Sequence, residues 1–198
     1  RHLQALGTRI MGSWQTASNL LGLCGWAAVL LRLLLEFGRP LSSGLLSWTA
    51  LCEAICVYEV VQIALGFARG NLMLGLGIHY TRVLILLAVL PIPEVASTSA
   101  AALVIFGWSV TEVCRYPMYL SPRRALRHLR YCTPVLTFPL AAGAEFICAY
   151  WALRTVSSPV LRLLVALILP SNALGGMAAY PVIIRNCLKE LRNSGKSS

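Results

Sequence analysis

Ionisable side chains stand inside apolar stretches of this sequence, where a charge is costly. They are Arg32, Glu53, Glu59, Arg82, Glu112 and Glu145, with Arg115 at the edge of one stretch. Such residues usually face the interior of a helix bundle, where they pair with one another or take part in chemistry. Two interpretations stay open: an ion-pair network that fixes helix packing, and a polar cavity that binds a ligand or substrate.

Helical spacing places several of these groups on common faces. Trp108, Glu112 and Arg115 follow one another at intervals of four and three residues, which puts them on one side of a helix. Phe138 and Glu145 are seven residues apart, or two turns, on another helix. Two groups so placed could flank a substrate that lies along the helix.

The composition indicates which elements hold these residues. Of the 198 residues, 58% are hydrophobic and 12% are charged, whereas a soluble domain has about 25% charged residues. Six apolar runs have the ~20-residue length of a membrane span. They cover residues 17–35, 46–66, 71–90, 97–114, 133–153 and 160–184. The prediction is an all-α polytopic membrane protein, a six-helix bundle in which residues 1–198 form one transmembrane domain.

The net charge of +10 lies mainly in the segments between these runs. With six spans, twelve of the basic residues fall on one side of the membrane and three on the other. Positive loops stay on the cytosolic or matrix side, so both termini are predicted there. Because no basic face with interleaved aromatic residues appears, nucleic-acid binding is not expected.

The seven cysteines form no CxxC pair and show no ligand spacing. Cys52 and Cys56 are one turn apart, but no histidine or carboxylate is expected to complete a soft-metal site with them. Most of the cysteines are interpreted as small buried hydrophobes, and His79 as a packing residue. We therefore expect no metal and no cofactor.

A resemblance to a known family follows from five segments. The stretch GWSVTEVCRYPMY (107–119) resembles the W-[ST]-x-T-E-x-x-R-Y-x-x-Y signature of the very-long-chain 3-hydroxyacyl-CoA dehydratases, also called protein-tyrosine-phosphatase-like A proteins. The other segments resemble further motifs of that family in the same order. They are SNLLGLCGW (18–26), YEVVQIALG (58–66), IHYTR (78–82) and RYCTPVLTFPLAAGAE (130–145).

The resemblance implies an enzyme of fatty-acid elongation in the endoplasmic reticulum membrane. Such an enzyme eliminates water from a long-chain 3-hydroxyacyl-CoA to give the trans-2-enoyl-CoA, using a tyrosine and a glutamate on the fifth helix. Glu145 matches that glutamate. The acyl chain is expected between the helices, with the CoA end at the basic fourth loop. Matched positions expected to line the substrate cavity are Glu59, Arg82, Glu112, Arg115, Tyr116, Arg130 and Tyr131.

Three departures from the family pattern fall at functional positions. Phe138 replaces the family tyrosine, Gln62 a histidine, and Ile78 a glutamine. A phenyl ring cannot transfer a proton, and loss of one member of an acid–base pair typically costs roughly 10²–10⁴ in rate. The resemblance and these departures together predict a dehydratase-like membrane protein with impaired or lost catalysis.

Two alternatives remain. The first is a non-catalytic structural or lipid-binding subunit of a larger membrane complex, such as a respiratory or ATP synthase assembly of the mitochondrial inner membrane. The arginine-rich, lysine-poor composition and the basic, acid-poor first segment of a processed mitochondrial protein motivate it. The second is a small transporter with a glutamate proton relay, which the lack of internal repeats disfavours.

Overall fold

A computed structural model describes residues 2–68, 70–121 and 123–195, with side chains from residue 14 to residue 193 in these ranges. The described residues form helices and no strands, which confirms the predicted all-α class. The helices are α1 (His2–Leu35), α2 (Ser43–Ala64), α3 (Leu72–Leu84), α4 (Pro93–Ala96), α5 (Ser99–Leu120), α6 (Arg124–Thr155) and α7 (Pro159–Gly195). A π-helical turn, Ile85–Val89, continues α3.

In the part of the chain that the structure describes, five helices are long and apolar enough to cross a membrane. Their membrane-compatible portions are Trp14–Leu35, Ser43–Ala64, Leu72–Val89, Arg124–Thr155 and Pro159–Asn193. The α5 helix is not among these five. Its 22 residues correspond to about 33 Å, enough to span, but they include Glu112 and Arg115. The chain is thus a polytopic membrane protein, and the count of six spans stays a prediction.

Side-chain caps begin three of the helices. Ser42, Asn71 and Thr98 each accept a hydrogen bond from the backbone N–H three residues further on, at the starts of α2, α3 and α5. A cap of this kind satisfies one of the N–H groups that has no partner within the helix. Just after α2, Gly66 has a φ of +75°, a conformation open to glycine at little cost. The turn lets the chain reverse into α3.

The six long helices pack as a ring. Going round it, α1 contacts α2, α2 contacts α3, α3 contacts α7, α7 contacts α6, α6 contacts α5, and α5 returns to α1. The α2–α3 contact agrees with the tight hairpin that their short link predicts. In this ring α5 lies opposite α3, so charged side chains of α2, α3 and α5 meet across the interior, whereas α6 and α7 are direct neighbours.

Glycines set the closest approaches between helices. A Cβ added at Gly22 of α1 would overlap the Tyr116 ring of α5, and one at Gly107 of α5 would lie 2.9 Å from the Ala141 Cβ of α6. Small residues allow such close contact between helices in membranes. These contacts fix the position of α5 and therefore of the charged residues that it carries.

Candidate active site

A chain of ion pairs joins α2, α3 and α5 inside the bundle. Arg82 lies at its centre, with Nη1 2.8 Å from Glu112 Oε1 and 3.6 Å from Glu53 Oε2. The other oxygen of Glu53 is 2.5 Å from His79 Nδ1. All four side chains are buried. The pairing removes the cost of leaving any of these groups alone in an apolar interior.

Arg115 extends this chain to a second glutamate of α2. Its Nε lies 2.6 Å from Glu112 Oε2, and its Nη2 lies 2.9 Å from Glu59 Oε2. The Arg115 guanidinium also covers the ring of Tyr116, with its carbon 4.7 Å from the ring centroid. Of the two interpretations that the sequence left open, the ion-pair network is therefore present. We call His79, Glu53, Arg82, Glu112, Arg115 and Glu59 the charged network.

Glu145 lies beside the charged network but has its own partners. Trp108 Nε1 donates a hydrogen bond of 2.7 Å to Glu145 Oε1, and Asn172 Nδ2 donates one of 2.7 Å to Oε2. On its other side, Trp108 packs against Arg82, whose guanidinium carbon is 5.3 Å from the Trp108 ring. The carboxylate is buried and held between α5 and α7, with both oxygens engaged.

A groove of about 460 Å³ runs between α6 and α7 on the other side of Asn172. Its walls are almost entirely apolar. They consist of Phe138, Pro139, Ala142, Phe146, Asn172, Ala173, Gly176, Met177, Tyr180 and Pro181. Asn172 is thus shared: it lines the groove and donates to Glu145. An apolar groove with one amide in its wall, next to a carboxylate, is suited to a molecule with a long hydrocarbon chain and a polar head.

Phe138 lies in this groove, stacked on Tyr180 of α7. The ring centroids are 6.1 Å apart and the planes are within 10° of parallel. The Tyr180 hydroxyl donates a hydrogen bond of 3.1 Å to the carbonyl of Val135. That carbonyl lacks its usual helical donor because residue 139 is proline, which has no N–H. The Tyr180 hydroxyl, which lies close to Phe138, therefore supplies the hydrogen bond that Pro139 cannot donate.

This geometry can be compared with known proteins. The profile of the family described as "Protein tyrosine phosphatase-like protein, PTPLA" matches residues 53–187. The chain belongs to this family. The match contains the charged network, Glu145 and the groove between α6 and α7.

Two curated relatives of this PTPLA-family chain are dehydratases by name. The very-long-chain (3R)-3-hydroxyacyl-CoA dehydratase hpo-8 of Caenorhabditis elegans is 25% identical over 189 residues, which cover 87% of this chain and 83% of the relative. A very-long-chain (3R)-3-hydroxyacyl-CoA dehydratase of Gallus gallus is 27% identical over 103 residues, 49% of this chain and 28% of the relative. No solved structure matches.

The predicted site residues of this PTPLA-family chain separate into three groups. Glu59, Arg82, Glu112 and Arg115 come together in the charged network. Tyr116 adjoins it, with its hydroxyl oxygen 3.4 Å from the Cys56 sulfur.

Arg130 and Tyr131 form the second group, near the start of α6. The Arg130 guanidinium carbon lies 4.4 Å from the Tyr119 ring and 5.4 Å from the Tyr131 ring. Glu145 stands alone as the third group. Arg32, predicted to lie within a span, is in the last turn of α1 and pairs with Glu36 at 2.8 Å. It does not join the charged network.

Three residues of this region were not predicted as site residues. Asn172 appears in the sequence as one polar residue in an apolar run. Glu53 appears as an intramembrane charge without a known partner. His79, interpreted as a packing residue, does pack, but directly against Glu53. These contacts depend on how the helices pack against one another. The spacing of residues along a single helix cannot predict them.

A possible metal-binding trio lies within the charged network. Glu53, Cys56 and His79 have ligand atoms within 4.8 Å of one another, although sequence spacing gave no partner for Cys56. Two guanidinium groups face the same atoms: Arg82 Nη1 is 3.6 Å from Glu53 Oε2, and Arg115 Nη2 is 3.7 Å from Cys56 Sγ. A divalent cation would be repelled by both, so this trio is better suited to ion pairing.

Proposed function

We propose that this protein binds long-chain 3-hydroxyacyl thioesters in the manner of a 3-hydroxyacyl-CoA dehydratase, and that its elimination step is impaired or lost. One observation carries the proposal: the groove next to Glu145 presents Phe138 where the resemblance expects a tyrosine. By the same resemblance the protein would reside in the endoplasmic reticulum membrane, with both termini in the cytosol.

Substrate binding is supported by the groove between α6 and α7. Its apolar walls suit an acyl chain, because each buried methylene contributes about 0.8 kcal/mol. The Asn172 amide in its wall can hydrogen-bond a carbonyl or hydroxyl oxygen. A chain lying in this groove would place its polar end next to Asn172, and Glu145 lies directly behind that amide.

The elimination itself needs two proton transfers. A base removes the proton from C2, the electron pair forms the C2=C3 double bond, and an acid protonates the departing C3 hydroxyl, which leaves as water. Glu145 can perform one of these transfers once a substrate displaces the Asn172 hydrogen bond. Phe138 has no proton to give, and the Tyr180 hydroxyl donates to the Val135 carbonyl. The second transfer therefore lacks a positioned group.

Turnover by the purified protein tests the proposal. We expect the wild-type chain to bind a long-chain 3-hydroxyacyl-CoA and to convert it slowly or not at all. Phe138→Tyr should raise the conversion rate by about 10²-fold or more, since it restores the missing proton donor. Adding Glu145→Gln to that variant should abolish the gain.

A second phenylalanine of the same groove provides the control. Phe146→Tyr adds the same hydroxyl to the same wall and should give no increase. Wild-type turnover as fast as that of the nematode relative would show that catalysis is intact. If no variant binds the thioester, and the chain migrates on native gels with other membrane subunits, the role of a complex subunit would replace this proposal.

A further inference from the structure

Two free cysteines meet where α6 packs against α7, outside the groove and the charged network. Cys132 is on α6 and Cys187 on α7, and the Cys187 thiol donates a hydrogen bond of 2.9 Å to the Cys132 sulfur. Both residues lie just outside the predicted spans 133–153 and 160–184, at the basic end of the bundle. Reagents dissolved in water are therefore expected to reach this interface without crossing the apolar interior.

Polar contacts on both sides of the two cysteines hold the helices in this register. On the side of the groove, Tyr180 of α7 donates a hydrogen bond of 3.1 Å to the Val135 carbonyl of α6. On the other side, Arg127 of α6 pairs with Glu190 of α7 at 2.8 Å. Neither contact involves a cysteine. Replacing either cysteine should therefore leave the alignment of α6 and α7 in place.

We propose that Cys132 and Cys187 form a disulfide bond that joins α6 to α7 when the protein meets a small-molecule disulfide such as oxidised glutathione. A disulfide bond is about 2.05 Å long, so the two sulfurs need to approach each other by less than about 1 Å. This end of the bundle is predicted to face the cytosol, where thiols are kept reduced. The free thiols are thus the resting form, and the bond forms in response to oxidation.

The burial of the two cysteines assigns the order of the steps. Cys132 is partly exposed and Cys187 is buried, so Cys132 meets the reagent first. Its thiolate attacks one sulfur of the small disulfide, releases one small thiol and leaves a mixed disulfide on Cys132. The Cys187 thiolate then attacks the Cys132 sulfur and releases the second small thiol. The two cysteines lose two electrons and two protons, which convert the small disulfide into two thiols.

The bond would fasten the two walls of the groove together beyond one end. Cys132 precedes Phe138 by six residues, and Cys187 follows Tyr180 by seven, so the bond lies about two helical turns from the stacked rings. A covalent link at this position limits how far α6 and α7 can separate. The inference does not depend on the proposed dehydratase-like function, because no step of that function uses either cysteine.

Redox titration of the full chain in detergent tests the proposal. The protein is equilibrated in buffers with different ratios of reduced to oxidised glutathione, the free thiols are alkylated, and peptides are identified by mass spectrometry. In the oxidising buffers we expect a linked Cys132–Cys187 peptide as the main product. The control variants Cys24→Ala and Cys114→Ala should form the same link. A folded wild type that keeps both thiols free in every buffer, or that links either cysteine to a different one, would overturn the proposal.

Single replacements of the two cysteines test the order of the steps. Cys187→Ala removes the second thiol, so glutathione should accumulate on Cys132 as the mixed disulfide. Cys132→Ala should leave the buried Cys187 largely unmodified under the same conditions. Equal modification of the two remaining cysteines would contradict the stepwise route.

Thermal unfolding gives a measurement on the wild type that needs no variant to fold. The two cysteines are 55 positions apart in the chain, and a disulfide that closes a loop of this length stabilises the folded state by restricting the unfolded one. The oxidised protein should therefore unfold roughly 5–10 °C above the reduced protein. Equal unfolding temperatures, with the linked peptide present, would show that the bond does not fasten α6 to α7.

Discussion

The interior of the helix ring and the groove between α6 and α7 satisfy their polar groups in opposite ways. Between α2, α3 and α5, six ionisable side chains pair in an unbroken chain from His79 to Glu59. Between α6 and α7, the groove is apolar, and its polar feature is the Asn172 amide bound to Glu145. The interior is closed by charges that neutralise each other, and the groove is open to an apolar molecule.

If the proposed function is right, this difference separates the residues that hold the fold from those next to the substrate. The paired charges of the network join α2, α3 and α5, so they hold these three helices in register. The groove contributes little to that register, because few polar contacts cross it. A change in the groove, such as phenylalanine in place of tyrosine, can therefore alter reactivity while the fold is retained.

The largest effect is expected when a central charge is removed from the network. Arg82→Met leaves Glu112 without its 2.8 Å partner and Glu53 without its 3.6 Å partner. Removing one member of a buried ion pair typically costs about 3–5 kcal/mol. The free energy of unfolding, measured by denaturant titration in mixed micelles, should fall by about that amount.

Arg32→Met is the matched control. Arg32 also pairs with a glutamate at 2.8 Å, but its side chain is 39% exposed, and exposed pairs contribute about 0–1 kcal/mol. If the free energy of unfolding falls equally in the two variants, burial does not make the ion pairs of the charged network stronger than an exposed pair. The contrast drawn between the charged network and the groove would then be wrong for the network.

An intermediate effect is expected when the groove is filled. Gly176 lines it, and a Cβ added there would lie 4.0 Å from the Phe138 ring. Gly176→Leu should therefore occupy the space proposed for an acyl chain and weaken binding of a long-chain 3-hydroxyacyl-CoA about tenfold, which corresponds to ~1.4 kcal/mol. Equilibrium binding to detergent-purified protein measures this change.

The neighbouring glycine separates filling of the groove from a general effect of leucine. Gly175 is exposed and an added Cβ there meets nothing within 4 Å, so Gly175→Leu should leave the affinity unchanged. If both variants bind the thioester like the wild type, the ligand does not lie between α6 and α7.

Hydropathy predicted the positions of the helices well and their lengths less well. Each of the six predicted runs overlaps a helix. However, α6 begins at Arg124 rather than near residue 133, and α7 continues to Gly195 rather than ending near residue 184. An apolar run marks only the part of a helix that can lie in lipid. The basic segments beyond these two runs continue the helix because its backbone hydrogen bonds do not need apolar side chains.

The sequence did not predict which side chains would contact each other between helices. The charges inside the spans predicted a polar interior, and the spacing of Glu112 and Arg115 predicted their common face. Nothing in α6 indicated that Asn172 of α7 would reach Glu145, or that Tyr180 would stack on Phe138. Those contacts follow from the order of the helices in the ring, which depends on packing along their whole length.

The smallest effect is expected just after α1, where a glutamate pairs with an arginine as in the charged network, but in contact with water. Glu36 follows α1, accepts hydrogen bonds from Arg32 at 2.8 Å and from Ser42 at 2.9 Å, and these bonds lower its pKa from the ordinary value of 4.5. A lowered pKa stabilises the folded protein at pH values above the ordinary pKa of 4.5. That stability is lost as the pH falls through the lowered pKa. Glu36→Gln should therefore unfold at a slightly lower temperature than the wild type at neutral pH and at the same temperature in acid. Glu94→Gln, at an exposed position of α4, controls for the loss of one surface charge and should unfold at the same temperature as the wild type at neutral pH. A difference for Glu36→Gln that persists in acid would show that its contacts act through packing, and the contrast between exposed and buried ion pairs would then need another cause.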